Sequence, residues 1–328
     1  MSRKAMRRNL ILCAAGIVSV AACSAAQGRS GTRLVPGNHE FSLRHGGRSR
    51  TYIVHVPRQL DARPPVLLAF HGGGGNAPGF QEYAELDAVA DREGFLVVYP
   101  NGTGPLPRRL LTWNAGDGCC GYALQRSIND VGFAATLLNH LEGKVDFDRG
   151  RVYATGHSNG GIMAHRLAAE RPGLIAAVVS VAGSLDLKSF APAQPVAVMQ
   201  IHSVDDPRAL YEGGLGPPFP GTNNRVQHSP VQSGLDRWVT ANGCAPKADT
   251  LDVKRGVAGT REGSHTATLL AWRSCRGGVE VRHWKLTGSG HAWPGDAPPP
   301  GSEDIAGPQT TIVRAAEEVW AFVSRFRR

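Results

Sequence analysis

Five short apolar runs recur along the chain, at residues 65–70, 95–99, 151–155, 175–181 and 195–201, and longer segments separate them. A strand that is apolar on both sides must be covered on both sides. The segment at 80–93 carries a helical stripe of Tyr83, Leu86, Val89 and Ala90, and that at 128–141 one of Val131, Ala135, Leu138 and Leu141. Another helix is predicted at 159–170. Strands alternating with helices predict an α/β fold, a mostly parallel central sheet with helices on both faces. Further strands are expected at 40–43, 51–56, 268–272 and 279–286, and helices at 231–242 and 312–326. Among the 328 residues there is no repeat or dividing linker, so 51–328 reads as one catalytic domain. Residues 27–50 read as an extension that carries the first strand.

The first 26 residues read as a signal peptide. Arg3, Lys4, Arg7 and Arg8 precede an apolar stretch at 10–22 that is too short to span a bilayer. Val20-Ala21-Ala22-Cys23 resembles a bacterial lipobox, which favours lipidation of Cys23. Ordinary cleavage near Ala26 is the alternative. Either way the chain is exported, to a periplasmic or extracellular location. The net charge of +9 includes those four leader cations, so the mature surplus is modest. No basic run lies beside aromatics, and nucleic-acid binding is not expected. Export also permits disulfides among Cys119, Cys120, Cys244 and Cys275. Cys244 with Cys275 is the favoured bridge, while the adjacent Cys119 and Cys120 either bridge or remain thiols. Without C-x-x-C or His-x-x-x-His spacing, no zinc site is expected.

Chemistry concentrates in a few loops. Gly156-His157-Ser158-Asn159-Gly160 is the G-x-S-x-G of the chain, a string that 41 glycines could supply by chance. Its place between a strand and a helix gives it weight, because a serine on such a turn projects its hydroxyl from the sheet edge. An ordinary N-cap serine is the plainer reading. A nucleophilic serine needs a base and an orienting acid, which follow in the order Ser, Asp, His in α/β hydrolases. His291 lies past the strand at 279–286, and Asp205 and Asp206 directly follow the run at 195–201. Spacing alone does not choose between the two aspartates. Oxyanion donors are expected from the amide of Asn159 and from Gly73 or Gly74 in His71-Gly72-Gly73-Gly74-Gly75-Asn76. That glycine loop lacks the G-K-[ST] and G-x-G-x-x-G patterns of nucleotide sites.

These residues, with Trp113-Asn114, Cys119-Cys120-Gly121, Asp130-Val131-Gly132-Phe133, Asp206-Pro207, Asn242-Gly243-Cys244, Trp272-Arg273-Ser274-Cys275 and Gly290-His291-Ala292-Trp293-Pro294-Gly295, resemble a known family. It is the polyhydroxybutyrate depolymerase-type esterases, relatives of feruloyl and acetylxylan esterases in the α/β-hydrolase superfamily. The resemblance implies the α/β-hydrolase fold, with Ser158 as nucleophile and His291 as base. It selects Asp206, the aspartate before proline, and supports the Cys244–Cys275 bridge. It also implies that Trp113, Tyr211 and Trp293 line the substrate pocket. Ser203-Val204 stand where the family usually has Gly-Thr, Asn129 where an aspartate often stands, and Arg208-Ala209-Leu210 where a more apolar stretch does. Members that erode solid polyester often carry a polymer-binding domain after a linker. This sequence shows neither, which favours soluble esters or oligomers.

The expected activity is therefore that of an exported serine carboxylic-ester hydrolase working through an acyl-enzyme. It requires no metal or organic cofactor. Its expected partner is an ester substrate, either a hydroxyalkanoate oligomer or an aryl or acetyl ester, with membrane anchoring through Cys23 if that residue is lipidated. The alternatives are a feruloyl or acetylxylan type of esterase, a peptidase of the same fold, and a non-catalytic envelope binding protein.

Overall fold

A computed structural model describes residues 34–219, 223–296 and 303–328. Cys23 and the leader lie outside them. The chain opens on a hairpin, β1 (Gly37–His45) and β2 (Arg48–Val56), whose ends pair His45 with Arg48. Gly46 and Gly47 form the two-residue turn with φ of 55° and 75°, a conformation glycine adopts without strain. The first strand is thus longer than the 40–43 read from sequence. It forms one edge of the main sheet.

There follow β3 (Val66–Phe70), α1 (Ala77–Ala84), α2 (Leu86–Glu93), β4 (Leu96–Pro100), α3 (Gly121–Gln125), α4 (Asp130–Glu142), β5 (Val152–His157), α5 (Asn159–Glu170), β6 (Ala177–Val181) and β7 (Ala197–Ser203). The last part holds β8 (Gly214–Leu215), β9 (Gln227–His228), α6 (Val231–Asn242), β10 (Asp249–Arg255), β11 (Thr266–Trp272), β12 (Val281–Thr287), α7 (Glu303–Ala306) and α8 (Ala315–Val323). Ten strands form one sheet in the order β1-β2-β4-β3-β5-β6-β7-β12-β11-β10. Its centre, β4 through β12, is parallel, and antiparallel strands flank it on both sides.

Alternation within the central strands divides the core in two. Val66, Leu68 and Phe70 pack with α4, α5 and α6, while Leu67 and Ala69 pack with α1, α2 and α8. The helix predicted at 80–93 is broken at Glu85, which adopts φ 54° between α1 and α2. The break aims Tyr83 and Glu85 at the loop after β12: Tyr83 Oη accepts from Trp293 N at 2.6 Å, and the Glu85 carboxylate from Asp296 N at 3.1 Å. The edge strand β10 is not marked in the sequence because charged residues surround its two apolar side chains, Leu251 and Val253, and both of these are exposed. Its charged residues and the irregular register near Thr250 discourage pairing with another chain.

Two disulfides are present among the described residues. One joins Cys244, just past α6, to Cys275, just past β11, and the other joins the adjacent Cys119 and Cys120. Asn129, one of the departures, caps α4 by accepting from Gly132 N at 2.8 Å.

Candidate active site

Ser158 sits between β5 and α5 with φ 56° and ψ −123°, a backbone conformation that side-chain-bearing residues rarely hold. Its side chain caps nothing, which removes the plainer reading of this serine. The turn closes because glycines flank it. A Cβ on Gly156 would lie 2.4 Å from the backbone of Gly160, and one on Gly160 would lie 2.1 Å from the carbonyl oxygen of Phe70.

The hydroxyl of Ser158 meets His291 Nε2 at 2.9 Å, and His291 Nδ1 meets Asp206 Oδ2 at 2.7 Å. The other carboxylate oxygen of Asp206 accepts from the amides of Arg208 and Ala209, both at 2.8 Å. Burial opposes the charge on Asp206. The neighbouring imidazole of His291, with a hydrogen bond from His202, outweighs that burial and holds the carboxyl below the usual carboxylate range. Asp205 points elsewhere, accepting from Gly288 N at 2.7 Å. The structure therefore brings Ser158, His291 and Asp206 together and leaves Asp205 apart. Ser203 also serves the site from below: its hydroxyl donates to Ser289 O at 2.5 Å, tying the two loops that carry Asp206 and His291.

The glycine loop crosses in front of Ser158. The amide of Gly74 is committed to Leu111 O at 2.8 Å, so of the two glycines Gly73 is the one left to face a substrate. The loop is braced from behind by His71, whose Nδ1 donates to Gly72 O at 2.7 Å and whose Nε2 accepts from Gly102 N at 3.0 Å. Burial holds His71 neutral, pushing it down to about 4. Burial and the nearby His291 likewise push His157, beside Ser158, down to about 3.

The three aromatics expected in the pocket lie behind its walls. Trp113 is fully buried and donates its indole N–H to His71 O at 2.8 Å. Its main chain holds Asn159, donating to Oδ1 at 2.7 Å and accepting from Nδ2 at 3.1 Å. Tyr211 donates to His283 Nε2 at 3.0 Å, and Trp293 packs edge-on against Phe80. Large apolar side chains serve the core first, and a motif shows that such a residue is near a site without showing which side of the wall it faces. The cleft itself is lined by Arg208, one of the departures from the family pattern, and by residues that the motifs do not mark. A cavity of about 500 Å³ carries Phe80, Tyr83, Arg208, Phe219 and Ile305, and the glycine loop forms its other side. A narrower recess of about 40 Å³ runs beneath Asn159 and Ile162, with Cys119, Cys120, Val226 and His228 in its walls. Ser158 and His291 border both.

The model of the family described as esterase PHB depolymerase matches residues 51–254, more than half of the chain. A putative esterase, NocK, of Nocardia uniformis subsp. tsuyamanensis is 29% identical over 257 residues, covering 76% of this chain and 72% of its own. A bifunctional acetylxylan esterase/xylanase of Neocallimastix patriciarum is 26% identical over 86% of this chain, and feruloyl esterase B of Piromyces equi is 26% identical over 74%. The chain spans only 34% and 42% of those two relatives. Among solved structures, a pOPH variant with DMSO aligns over 81% of this chain and 83% of its own, with 13% identity and a TM-score of 0.51. That likeness concerns the fold. The protein belongs to the esterase family of PHB depolymerases and is a carboxylic-ester hydrolase of the α/β-hydrolase fold.

Proposed function

We propose that the chain hydrolyses esters of short acyl groups through an acyl-enzyme on Ser158. The observation that carries this reading is the unbroken line of hydrogen bonds from Ser158 Oγ through His291 to Asp206. As Ser158 attacks the carbonyl carbon, His291 Nε2 takes its proton, and Asp206 stabilises the imidazolium. The amides of Asn159 and Gly73 face the developing oxyanion, where one donor is worth about 3–4 kcal/mol of barrier lowering. His291 then protonates the departing alkoxide. Water, activated by the same imidazole, releases the acid.

The two spaces beside Ser158 suggest which half of the ester goes where. The leaving oxygen must reach His291, and the wider cleft continues past that residue to Ile305 and Ala306. The recess beneath Asn159 is left for the acyl chain. Its 40 Å³ holds about three water-sized groups. An acetyl or butyryl tail fits there, and a feruloyl ring does not. The cleft of 500 Å³ takes a bulkier alcohol, such as a sugar or an ester oligomer. Purified protein is expected to hydrolyse p-nitrophenyl acetate and butyrate with kcat/KM at least about tenfold above that for methyl ferulate. Peptidyl anilides should not be turned over. Equal rates on methyl ferulate would sink the short-acyl reading, and turnover of the anilides would favour a peptidase.

The same reading places the mature chain outside the cytoplasm. Both disulfides suit an oxidising compartment. The lipobox-like Val20-Ala21-Ala22-Cys23 supports anchoring through a lipid on Cys23. Bacteria expressing the full chain and fed radioactive palmitate should label it, and a Cys23→Ser variant should lose the label. An unlabelled native chain would leave free secretion as the answer.

A further inference from the structure

Behind Asp206 four buried side chains form a hydrogen-bonded line from one face of the sheet. Trp238 on α6 donates its indole N–H to His165 Nδ1 on α5 at 3.2 Å. His165 Nε2 meets Gln200 Oε1 at 2.9 Å, and Gln200 Nε2 meets His202 Nδ1 at 3.1 Å. His202 Nε2 ends the line 2.8 Å from Ala209 O and 3.4 Å from Asp206 Oδ2.

Both ends of this line have fixed polarity, since an indole only donates and a peptide carbonyl only accepts. The direction of every link follows. His165 accepts at Nδ1 and therefore donates from Nε2 to the amide oxygen. The Gln200 amide nitrogen then donates to His202 Nδ1, so the single proton of His202 sits on Nε2. A second proton on Nδ1 would set an N–H against the N–H groups of Gln200. Without that amide, an imidazole 3.4 Å from a buried carboxylate would ordinarily gain a proton and pair with it. Asp206 would then divide its charge between two imidazoles.

We propose that Gln200 is a positioning residue: by donating to His202 it keeps that imidazole neutral and reserves the charge of Asp206 for His291. The proposal rests on the triad reading given above. The surroundings leave the amide in control. Burial holds His283 on β12, His157 on β5 and His228 on β9 neutral, at about 3, 3 and 4. The Tyr211 ring stands edge-on to His202 at 5.9 Å. Lys285, in register with His202 on β12, is exposed and lies over the Tyr211 ring. Asp206 is the carboxylate in contact with His202, and His291 is its other imidazole partner.

The test combines nitrogen NMR of the histidines with the kinetics of one variant. In the native chain His202 should show a bare Nδ1 and a protonated Nε2 from about pH 5 to 9. In Gln200→Leu, His202 should take up a second proton. With p-nitrophenyl acetate kcat should then fall about tenfold at unchanged KM, and the acidic limb of kcat/KM should move to lower pH. A purely structural role for Gln200 would change the melting temperature and the active fraction but leave that limb in place. A doubly protonated His202 in the native chain would overturn the proposal, as would a folded Gln200→Leu protein with kcat and limb unmoved. If the variant fails to fold, the native spectrum still decides. Failure of the triad reading would appear separately, as activity retained by Ser158→Ala whatever the state of His202.

Discussion

Replacing Ser158 by alanine is expected to lower kcat toward p-nitrophenyl acetate by about 10⁴- to 10⁶-fold. The size follows from the chemistry: without the hydroxyl there is no acyl-enzyme, and what remains is the oxyanion site acting on water. The substitution should leave the fold intact. Alanine keeps the Cβ, so the backbone at φ 56° is no worse off, and the serine hydroxyl caps no helix. Initial rates and a thermal melt on the same sample check both halves. Wild-type rates in a folded variant would remove Ser158 from the chemistry.

Asp206→Asn should cost about 10⁴-fold in kcat with little change in KM, and Asp205→Asn should stay within about threefold of the native rate. The asparagine amide is close in shape to the carboxylate but can turn a donor toward His291. That would make Nδ1 the acceptor and put the proton on Nε2, where the base is needed. Asp205 is exposed and occupied with the amide of Gly288, so its loss does not reach the hydroxyl of Ser158. The two neighbours thus form an internal control. Stability should follow the same residue. The folded-state carboxyl of Asp206 is held below its unfolded value of about 3.9. Its contribution is therefore fully present above that value and is lost as pH falls through the depressed one. Asp206→Asn should accordingly melt lower than the native chain at neutral pH, by an amount that shrinks on acidification. Equal activity in the two asparagine variants would undo the choice between the aspartates.

The parallel centre of the sheet was legible because its strands are buried on both faces and carry runs without a polar side, as in Val66–Phe70 and Ala177–Val181. The order of Ser158, Asp206 and His291 was legible for a related reason: Ser158 and Asp206 each follow such a run, and His291 follows the strand β12. The edges were less so. The exposed β10 has only Leu251 and Val253 among charged residues to mark it, and the helix break at Glu85 depends on contacts with Trp293 and Asp296, more than two hundred residues away. The pocket walls were less legible for a third reason. Phe219 and His228 belong to the long segment after β7, which has no periodicity to place it, while Trp113, Tyr211 and Trp293 went to the core. Gln200 and His202 are polar residues two apart in an otherwise apolar strand, and polar groups buried there must find partners.

The most direct measurement is the site of covalent capture. The protein is treated with a fluorophosphonate, its intact mass is taken, and the adduct is located by peptide mapping. The account predicts one equivalent bound, carried by Ser158, with esterase activity lost in proportion to labelling. Stoichiometric labelling on another residue, or full activity in a protein labelled at Ser158, would contradict it.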